Sequence, residues 1–246
     1  MQHSGKVALV TGGSSGIGQA IARRLTRDGA SVAVADVADA GETLKMLAGA
    51  GREGFSAPCD ISRGEQVTGF VEQVRDRLGP PQILVHSAAV QFMRPFDELS
   101  LADWHRTQAV NQESMFHLLK AVLPGMKRTG WGRIIVLASS TFFVGAPAMT
   151  HYVTSKGALI GLVHGLAAEV GPFGITVNAL APGLTRTKKA VADLPEELFR
   201  HVASLQCIKR SGTPEDQAGV VSFLASEDAA FITGQTILAD GGQGRT

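Results

Sequence analysis

Short β-branched runs alternate with longer helical stretches through almost the whole chain, and that alternation constrains the fold more than any other feature. Residues 6–10 (KVALV), 31–35 (SVAVA), 55–58, 82–86 (QILVH), 133–138 (RIIVLA), 175–180 (ITVNAL) and 236–238 have the apolar, β-branched character of strands. Between them, residues 17–28, 41–50, 65–78, 103–128, 152–171 and 215–225 carry helical patterns. End signals agree with these bounds. Ser62 and Thr213 precede helical stretches, Pro214 stands at a first helical position, and Gly29, Gly79 and Gly130 follow other stretches. Strand–helix alternation on this scale implies a parallel sheet covered on both faces, a doubly wound α/β fold with right-handed crossovers. No internal repeat, low-complexity segment or linker interrupts the 246 residues, so a single domain spanning 1–246 is expected.

Two places disturb the rhythm. Pro124 falls inside the 103–128 pattern, where it should kink or end the helix. Residues 184–207 begin polar and basic and then carry a short amphipathic piece, 195–205. A long irregular stretch in a compact domain is expected to act as a lid over a site.

Composition excludes several functions. The chain is 44% hydrophobic, 18% charged and +1 in net charge, so it can build a core but carries no basic surplus for nucleic acid. No apolar run is long enough to span a membrane, and residues 1–6 are too short and polar for a secretory leader. Cys59 and Cys207 lack metal-ligand spacing and are expected to be packed thiols, with no metal site. The expected setting is the cytoplasm.

Chemistry concentrates in residues 139–156, SSTFFVGAPAMTHYVTSK. Tyr152, the one tyrosine of the chain, and Lys156 stand four apart, on one face of a helix. An ammonium beside a phenol favours the phenolate and lowers a pKa that is about 10 when unperturbed. A phenol tuned in this way can exchange a proton near neutral pH. Ser139 ends the 133–138 strand, where its hydroxyl could donate to a bound alcohol or carbonyl oxygen; Ser140 could end the strand equally well.

At the other end, the first strand runs into TGGSSGIG, Thr11 to Gly18, where a helix opens. Glycines at such a turn admit a pyrophosphate, and the helix N-terminus offers N–H donors and a positive dipole end. Asp36 closes the second strand near the offset at which a carboxylate can hold adenine ribose hydroxyls. That carboxylate would repel a 2′-phosphate, and residues 35–39 hold no arginine or lysine to attract one. NAD is therefore expected over NADP.

Together, TGGSSGIG, Asp36, Ser139, Tyr152 and Lys156 resemble the short-chain dehydrogenase/reductase family over essentially the whole length. The resemblance implies a Rossmann-type sheet of about seven strands with helices on both faces. It implies cofactor contacts at Gly12, Ser14, Ser15, Gly16, Ile17, Gly18 and Asp36. Asp60–Ile61 looks like the family's pair beside adenine, and residues 182–187 look like its PG…T segment at the nicotinamide carboxamide. There Pro182, Gly183, Thr185 and Thr187 would be contacts, and Ala88 would be another. Asn111 matches the asparagine of the family's catalytic tetrad, and its separation from Tyr152 makes Ser139 the family-matched serine. In the implied mechanism Tyr152 takes the hydroxyl proton while hydride passes to the nicotinamide. Lys156 lowers the tyrosine pKa and binds the cofactor ribose, Ser139 orients the substrate oxygen, and Asn111 positions a water in a proton relay with Lys156.

The chain departs from the family at His86-Ser87-Ala88-Ala89, where NNAG is usual, at Ser114 for a common glycine, and at Thr185 for an aliphatic residue. His86 reads as structural.

Val90, Phe92, Met93, Ser140, Phe142, Phe143, Val144, Met149 and Leu184 stand in the segments expected to form the pocket. An apolar pocket with one polar end suits a hydrophobic or aromatic secondary alcohol and its ketone. PGMKRTGWGRIIVLAS is similar to aryl-alcohol dehydrogenases of the 1-phenylethanol type, and TFFVGAPAMTHYVTSKGALIG to the pyridoxal 4-dehydrogenase type; the two point to different substrates. The rival enzyme is a 3-oxoacyl-thioester reductase, which in this family commonly uses NADPH. The rival from another class is a NAD-sensing regulatory protein, which usually lacks a catalytic residue. The family also implies a homotetramer joined through residues 103–128 and 152–171 and near the C-terminal strand. Gly157, Ala158, Gly161, Gly165 and Ala168 would permit close helix approach, or packing on the sheet, and residues 240–246 would lie near an interface.

Overall fold

The computed structural model describes residues 1–49 and 54–244. Seven strands form one parallel sheet: β1 (Val7–Thr11), β2 (Ser31–Asp36), β3 (Gly54–Pro58), β4 (Ile83–His86), β5 (Gly132–Leu137), β6 (Ile175–Pro182) and β7 (Thr236–Ala239), in the order β3-β2-β1-β4-β5-β6-β7. The strands are apolar on both faces because both faces are covered. Along β1, Val7 and Leu9 join one core and Ala8 and Val10 the other. The first core is closed by α3 (Gly64–Leu78), α5 (Ser114–Thr129) and α7 (Thr150–Val170). The second is closed by α1 (Gly16–Arg27), α2 (Gly41–Ala48) and α10 (Pro214–Leu224).

The chain builds β1 to β3 outward in one direction and then returns to place β4 on the other side of β1. Thr11 is paired with His86 across that reversal. In sheets of this kind the crevice beyond the carboxyl ends of the two diverging strands is where ligands bind. The expected site residues of β1, β2, β5 and β6 all lie at or just past that edge: Gly12, Asp36, Ser139 and Pro182.

The strand expectations agree with the structure, and the end signals divide. Thr213 makes a reciprocal capping box with Asp216 ahead of α10, whereas Ser62 caps nothing: α3 starts after Arg63, and the Ser62 hydroxyl donates to Asp60. Gly29, Gly79 and Gly130 all take positive φ. The C-terminal end of the 41–50 pattern, Ala50, lies outside the described residues.

The single helix expected over 103–128 is three pieces. These are α4 (Leu101–Gln108), a π turn (Ala109–Glu113) and α5. Pro124 does not end α5, which continues to Thr129. Pro124 and Lys120, whose carbonyl loses its i+4 donor, are both exposed, so water can satisfy the freed oxygen. Residues 184–207 hold two helices where one amphipathic piece was expected, α8 (Lys188–Asp193) and α9 (Glu196–Leu205), after the short α6 (Thr141–Val144) between β5 and α7. Thr187 starts α8 by accepting from the Ala190 N–H at 3.0 Å.

Among the described residues no helix is long and apolar enough to cross a membrane, and no three His, Cys, Asp or Glu side chains converge as metal ligands. Cys59 is buried, and its thiol is pushed up to about 11 by burial. Cys207 corrects the expectation of two packed thiols: it is exposed, on the turn after α9, with Sγ donating to the Gly242 carbonyl.

Candidate active site

The glycine turn is fixed by its own backbone. Gly12 has φ +68°, and a Cβ there would stand 2.7 Å from the Ala88 Cα. At Gly18 a Cβ would stand 2.2 Å from the Gly12 carbonyl oxygen, so the turn closes only with glycine. Side chains brace it from outside: Thr43 donates to the Gly13 carbonyl at 2.9 Å, and Gln19 donates to Thr43 and to the Ser14 carbonyl. Ser15 is the N-cap of α1 in extended conformation and makes no side-chain cap bond, while Ile17 is half-buried in the first turn. Asp36 is tied back to this turn. Its Oδ2 accepts from the Ser14 N–H at 3.0 Å and the Ser14 hydroxyl at 2.6 Å, and its Oδ1 accepts from the Ala38 N–H.

These features fit a dinucleotide. The turn presents backbone and no bulky side chain, the first N–H groups of α1 have no side-chain cap, and Asp36 retains lone pairs beyond those Ser14 uses. Asp60 is bound to Ser62, at 2.6 Å from its hydroxyl, which holds its carboxyl below the ordinary range. Ile61 points into the core beneath. Residues 182–187 close the far side. The Pro182 carbonyl accepts from the Ser140 N–H, and a Cβ on Gly183 would stand 2.7 Å from the Asp240 Cα. Thr185 is buried with its hydroxyl on the Gly183 carbonyl. The Thr187 methyl would meet a Cβ on Gly16 at 3.2 Å, which brings the start of the 184–207 segment against the glycine turn.

The chemistry-bearing side chains come together as expected, but not their ionisation. Tyr152 is 8% exposed and is hydrogen-bonded by Ser139. Of the two candidate serines, Ser139 is the one bonded to the phenol, and the Ser140 N–H is bound to the Pro182 carbonyl. The Ser139 oxygen accepts from the Thr141 hydroxyl at 2.8 Å and its N–H at 3.3 Å, which leaves the Ser139 proton to be donated.

Lys156 is 2% exposed, with Nζ 5.5 Å from the Tyr152 ring centre and donating to the Leu137 carbonyl at 2.6 Å. The expectation of a lowered phenol pKa is corrected here. Burial raises Tyr152, and the Ser139 hydrogen bond only partly offsets this. Lys156 is not among the groups that shift the phenol, and burial pushes its own pKa down to about 7.

Asn111, in the π turn, is fully buried. Its Oδ1 accepts from the Val90 N–H at 2.7 Å, and its Nδ2 donates to the Val90 carbonyl and to Ser155 Oγ at 3.0 Å. Ser155 in turn donates to the Tyr152 carbonyl at 2.7 Å.

His86 completes the chain of bonds, and its tautomer follows from its partners. Thr11 Oγ1 accepts the Ser87 and Ala88 N–H groups, so its own proton goes to His86 Nδ1, 3.1 Å away. The proton of the ring is therefore on Nε2, which donates to the Asn111 carbonyl at 3.1 Å; Ser114 Oγ lies 3.4 Å from the same nitrogen. Burial, with Lys156 adding to it, lowers the His86 pKa to about 4 and keeps the ring neutral. An unbroken line of hydrogen bonds thus runs from Thr11 through His86, Asn111 and Ser155 to the turn of α7 that carries Tyr152 and Lys156.

The sequence reading missed Thr11, Thr141 and Ser155 as members of the site. The signal was available for Ser155, which sits between Tyr152 and Lys156, and for Thr11, which opens the glycine turn.

The expected pocket residues divide. Met149 is buried, Phe142 packs over Gly157 and edge-on against Phe143, and Met93 and Val144 are largely exposed. Phe92 stacks on His151 at 4.2 Å, and neither ring nitrogen of His151 has a hydrogen-bond partner among the described residues. Leu184 lies on the wall of a separate cavity shared with Gln206 and Gln217.

Comparison with known proteins agrees with this architecture. The family described as Enoyl-(Acyl carrier protein) reductase matches residues 12–243. The chain is 38% identical to the 3-oxoacyl-[acyl-carrier-protein] reductase FabG of Pseudomonas aeruginosa, covering 98% of each chain. It is 34% identical to a D-beta-hydroxybutyrate dehydrogenase of Rhizobium meliloti, covering 96% of this chain and 98% of that one. The crystal structure of a short-chain type dehydrogenase/reductase from Mycobacterium marinum superposes with a TM-score of 0.92 at 32% identity, covering 98% of this chain and 96% of that one. With the sheet order, the glycine turn and the Ser139–Tyr152–Lys156 cluster already in place, these matches make the chain a member of the short-chain dehydrogenase/reductase family of oxidoreductases.

Proposed function

We propose that the protein is an NAD-dependent oxidoreductase that interconverts a hydrophobic or aromatic secondary alcohol and its ketone. The observation that carries this reading is the buried Ser139–Tyr152 pair with Lys156 beneath it, held by Asn111 and Ser155 at the ligand-binding edge of the sheet. When bound, NAD supplies the ring carbon that accepts or returns hydride. The glycine turn and Asp36 would hold its adenosine half, and Lys156 with residues 182–187 its nicotinamide half.

When substrate binds, the Ser139 proton turns from the Tyr152 phenol to the substrate oxygen. Tyr152 holds and exchanges the hydroxyl proton at its phenolic oxygen. Burial raises the phenol, so Tyr152 stands protonated in the protein alone, able to donate to a carbonyl oxygen, and it must give that proton up before it can act as the base in alcohol oxidation. Lys156, near neutrality, can carry that proton onward. The apolar side chains of Phe142, Phe143 and Met149 suit an aromatic or aliphatic group beside the reacting carbon. Asp36, with no cation in residues 35–39, supports NAD over NADP. Residues 184–207 act as the lid of a single domain working in the cytoplasm.

A second reading, 3-oxoacyl-thioester reduction, is favoured by the full-length likeness to FabG. The test is one assay plate: 1-arylethanols and their ketones, and a 3-oxoacyl thioester, each with NAD(H) and NADP(H). Aryl-alcohol turnover with NAD supports the first reading. Thioester reduction with NADPH alone replaces it with the second, and no turnover at all revives the regulatory class.

A homotetramer through α5 and α7 belongs to the same proposal. Gly161 and Gly165 lie on the exposed face of α7 with no atom within 4 Å of a Cβ, and Phe116 on α5 is 60% exposed. A monomeric mass by light scattering would remove it.

A further inference from the structure

Residues 87–95 form neither helix nor strand, yet alternate positions within them, 90, 92 and 94, are fastened to the body of the protein. Val90 is held at both backbone groups by the Asn111 side chain, at 2.7 and 3.0 Å. The Arg94 N–H donates to the Ala148 carbonyl at 2.7 Å, and the Arg94 guanidinium reaches Asp103 of α4 at 3.5 Å. The intervening Gln91 and Met93 are exposed. Between the two backbone anchors, Phe92 makes no backbone hydrogen bond among the described residues, so its ring alone places it. That ring lies face to face with the ring of His151, centroids 4.2 Å apart and planes at 29°, and the Arg94 guanidinium stands 5.9 Å from its centre.

The His151 side of this contact is firmly seated. His151 is 0% exposed in the first turn of α7, and its carbonyl accepts from the Gln108 side chain at 3.2 Å. Ala148, three residues earlier, is the one non-glycine residue among the described residues with a left-handed backbone, φ +60°. Such a conformation persists where the surroundings impose it, and the Arg94 bond to the Ala148 carbonyl is one of those constraints. His151 does not bond through its nitrogens: both are buried without a partner among the described residues, and burial lowers the pKa and keeps the ring neutral. What the ring offers is a flat face, and stacked aromatic pairs contribute beyond the area they bury. His151 immediately precedes Tyr152, and Asn111 reaches the Tyr152 carbonyl through Ser155, so the segment is fastened to the elements that carry the phenol. Phe92 is only half-buried, which leaves part of its ring open to a bound group.

We propose that His151 is a positioning residue for substrate discrimination: its ring is the platform that sets Phe92 as an aromatic wall beside Tyr152. The use of that wall by an aromatic alcohol rests on the function proposed above, whereas the fastening of Phe92 by His151 does not.

Two measurements on the full chain test this. Amide hydrogen exchange, followed by mass spectrometry on peptides covering residues 88–98, needs no turnover. Exchange at residues 91–94 is expected to quicken roughly tenfold in His151→Ala and to keep the parent's rate in His151→Phe, which retains a ring and removes both nitrogens. Kinetics then reads discrimination, the ratio of kcat/KM for a 1-arylethanol to that for 2-butanol. The ratio is expected to fall roughly five- to tenfold in His151→Ala, by as much in Phe92→Ala and no further in the double variant, with His151→Phe at the parent's value. A general loss of packing would lower both substrates alike and leave the ratio unchanged. Should His151→Ala fail to fold, Phe92→Ala, on the half-exposed side of the stack, gives the same two readings. Unchanged exchange, an unchanged ratio, additive losses in the double variant, or a His151→Phe as impaired as His151→Ala would each overturn the proposal. If neither alcohol is turned over, the catalytic reading fails by itself, and the exchange rates alone decide whether His151 holds Phe92.

Discussion

The two halves of the candidate site are built on different principles. The glycine turn between β1 and α1 is a steric object: its shape follows from what a Cβ would strike, and its few side-chain bonds brace it from outside. The region around the π turn and α7 is a polar object. There His86, Asn111 and Ser155 are linked in series by hydrogen bonds and Lys156 is anchored on the Leu137 carbonyl, all four at most 2% exposed, in a medium where each unpaired group is costly. The first kind of site is spelled in glycines. The second is spelled in which polar residues meet, and that is decided by the fold.

The sharpest break in this comparison is Tyr152→Phe. It keeps the ring and removes only the oxygen that Ser139 meets. On the proposed reading, kcat/KM falls by roughly 10²–10⁴, about 3–5 kcal/mol of transition-state stabilisation. Binding of NAD, measured by fluorescence quenching, is expected to change little. A variant that kept its activity would reduce the polar half to scaffolding.

On the steric half, Gly18→Ala places a methyl 2.2 Å from a main-chain oxygen that has no room to retreat. The expected loss is about 3 kcal/mol of stability by urea unfolding, with cofactor binding lost alongside it. A mild phenotype would show that the turn is less rigid than its contacts indicate.

The contrast also explains what the sequence could disclose. All seven strands were legible, because a parallel sheet buried on both faces needs continuous apolar runs. TGGSSGIG and Asp36 were legible because glycines and a strand-end carboxylate serve few other purposes in that order. The division of residues 103–128 was not. Nothing in the local pattern marks a π turn, which occurs where the Asn111 carbonyl meets a histidine from β4, 25 residues earlier. The direction of the Tyr152 shift was hidden for a similar reason. Spacing places the lysine beside the tyrosine, but only the packed structure reveals how deeply both are buried, and burial is what raises the phenol and lowers the lysine. His86 read correctly as structural, while its tautomer and its hold on Asn111 needed coordinates.

The polar half should carry a pH signature that the steric half lacks. His86 has a folded pKa of about 4 against about 6.5 unfolded, so between those values the unfolded chain binds more protons and stability rises with pH. Acidification from pH 6.5 to 4 therefore removes up to about 3 kcal/mol through this one residue. Lys156, at about 7 against about 10.4 unfolded, gives the same sign in a higher window, with stability rising from pH 7 to 10. Urea midpoints across pH for the parent, His86→Asn and Lys156→Met separate the two. The acid-side slope should flatten in the first variant only, and the alkaline-side slope in the second only. An unchanged acid slope in His86→Asn would mean that the ring is not held neutral.

The smallest expected effect tests where the two principles meet. Asp36 is a charged side chain, but it is fastened to the steric half by the Ser14 N–H and hydroxyl. Asp36→Asn keeps the shape and can keep one acceptor, but it loses the charge. On the NAD reading, KM for NAD rises about tenfold, about 1.4 kcal/mol, and the handicap against NADP shrinks because the repulsion of a 2′-phosphate is gone. If instead Tm falls and both cofactors weaken in parallel, the carboxylate serves chiefly to hold the Ser14 turn. NAD preference would then have to come from elsewhere in the crevice. The ratio of the two KM values, and not either one alone, separates a residue that reads the cofactor from one that only shapes the turn.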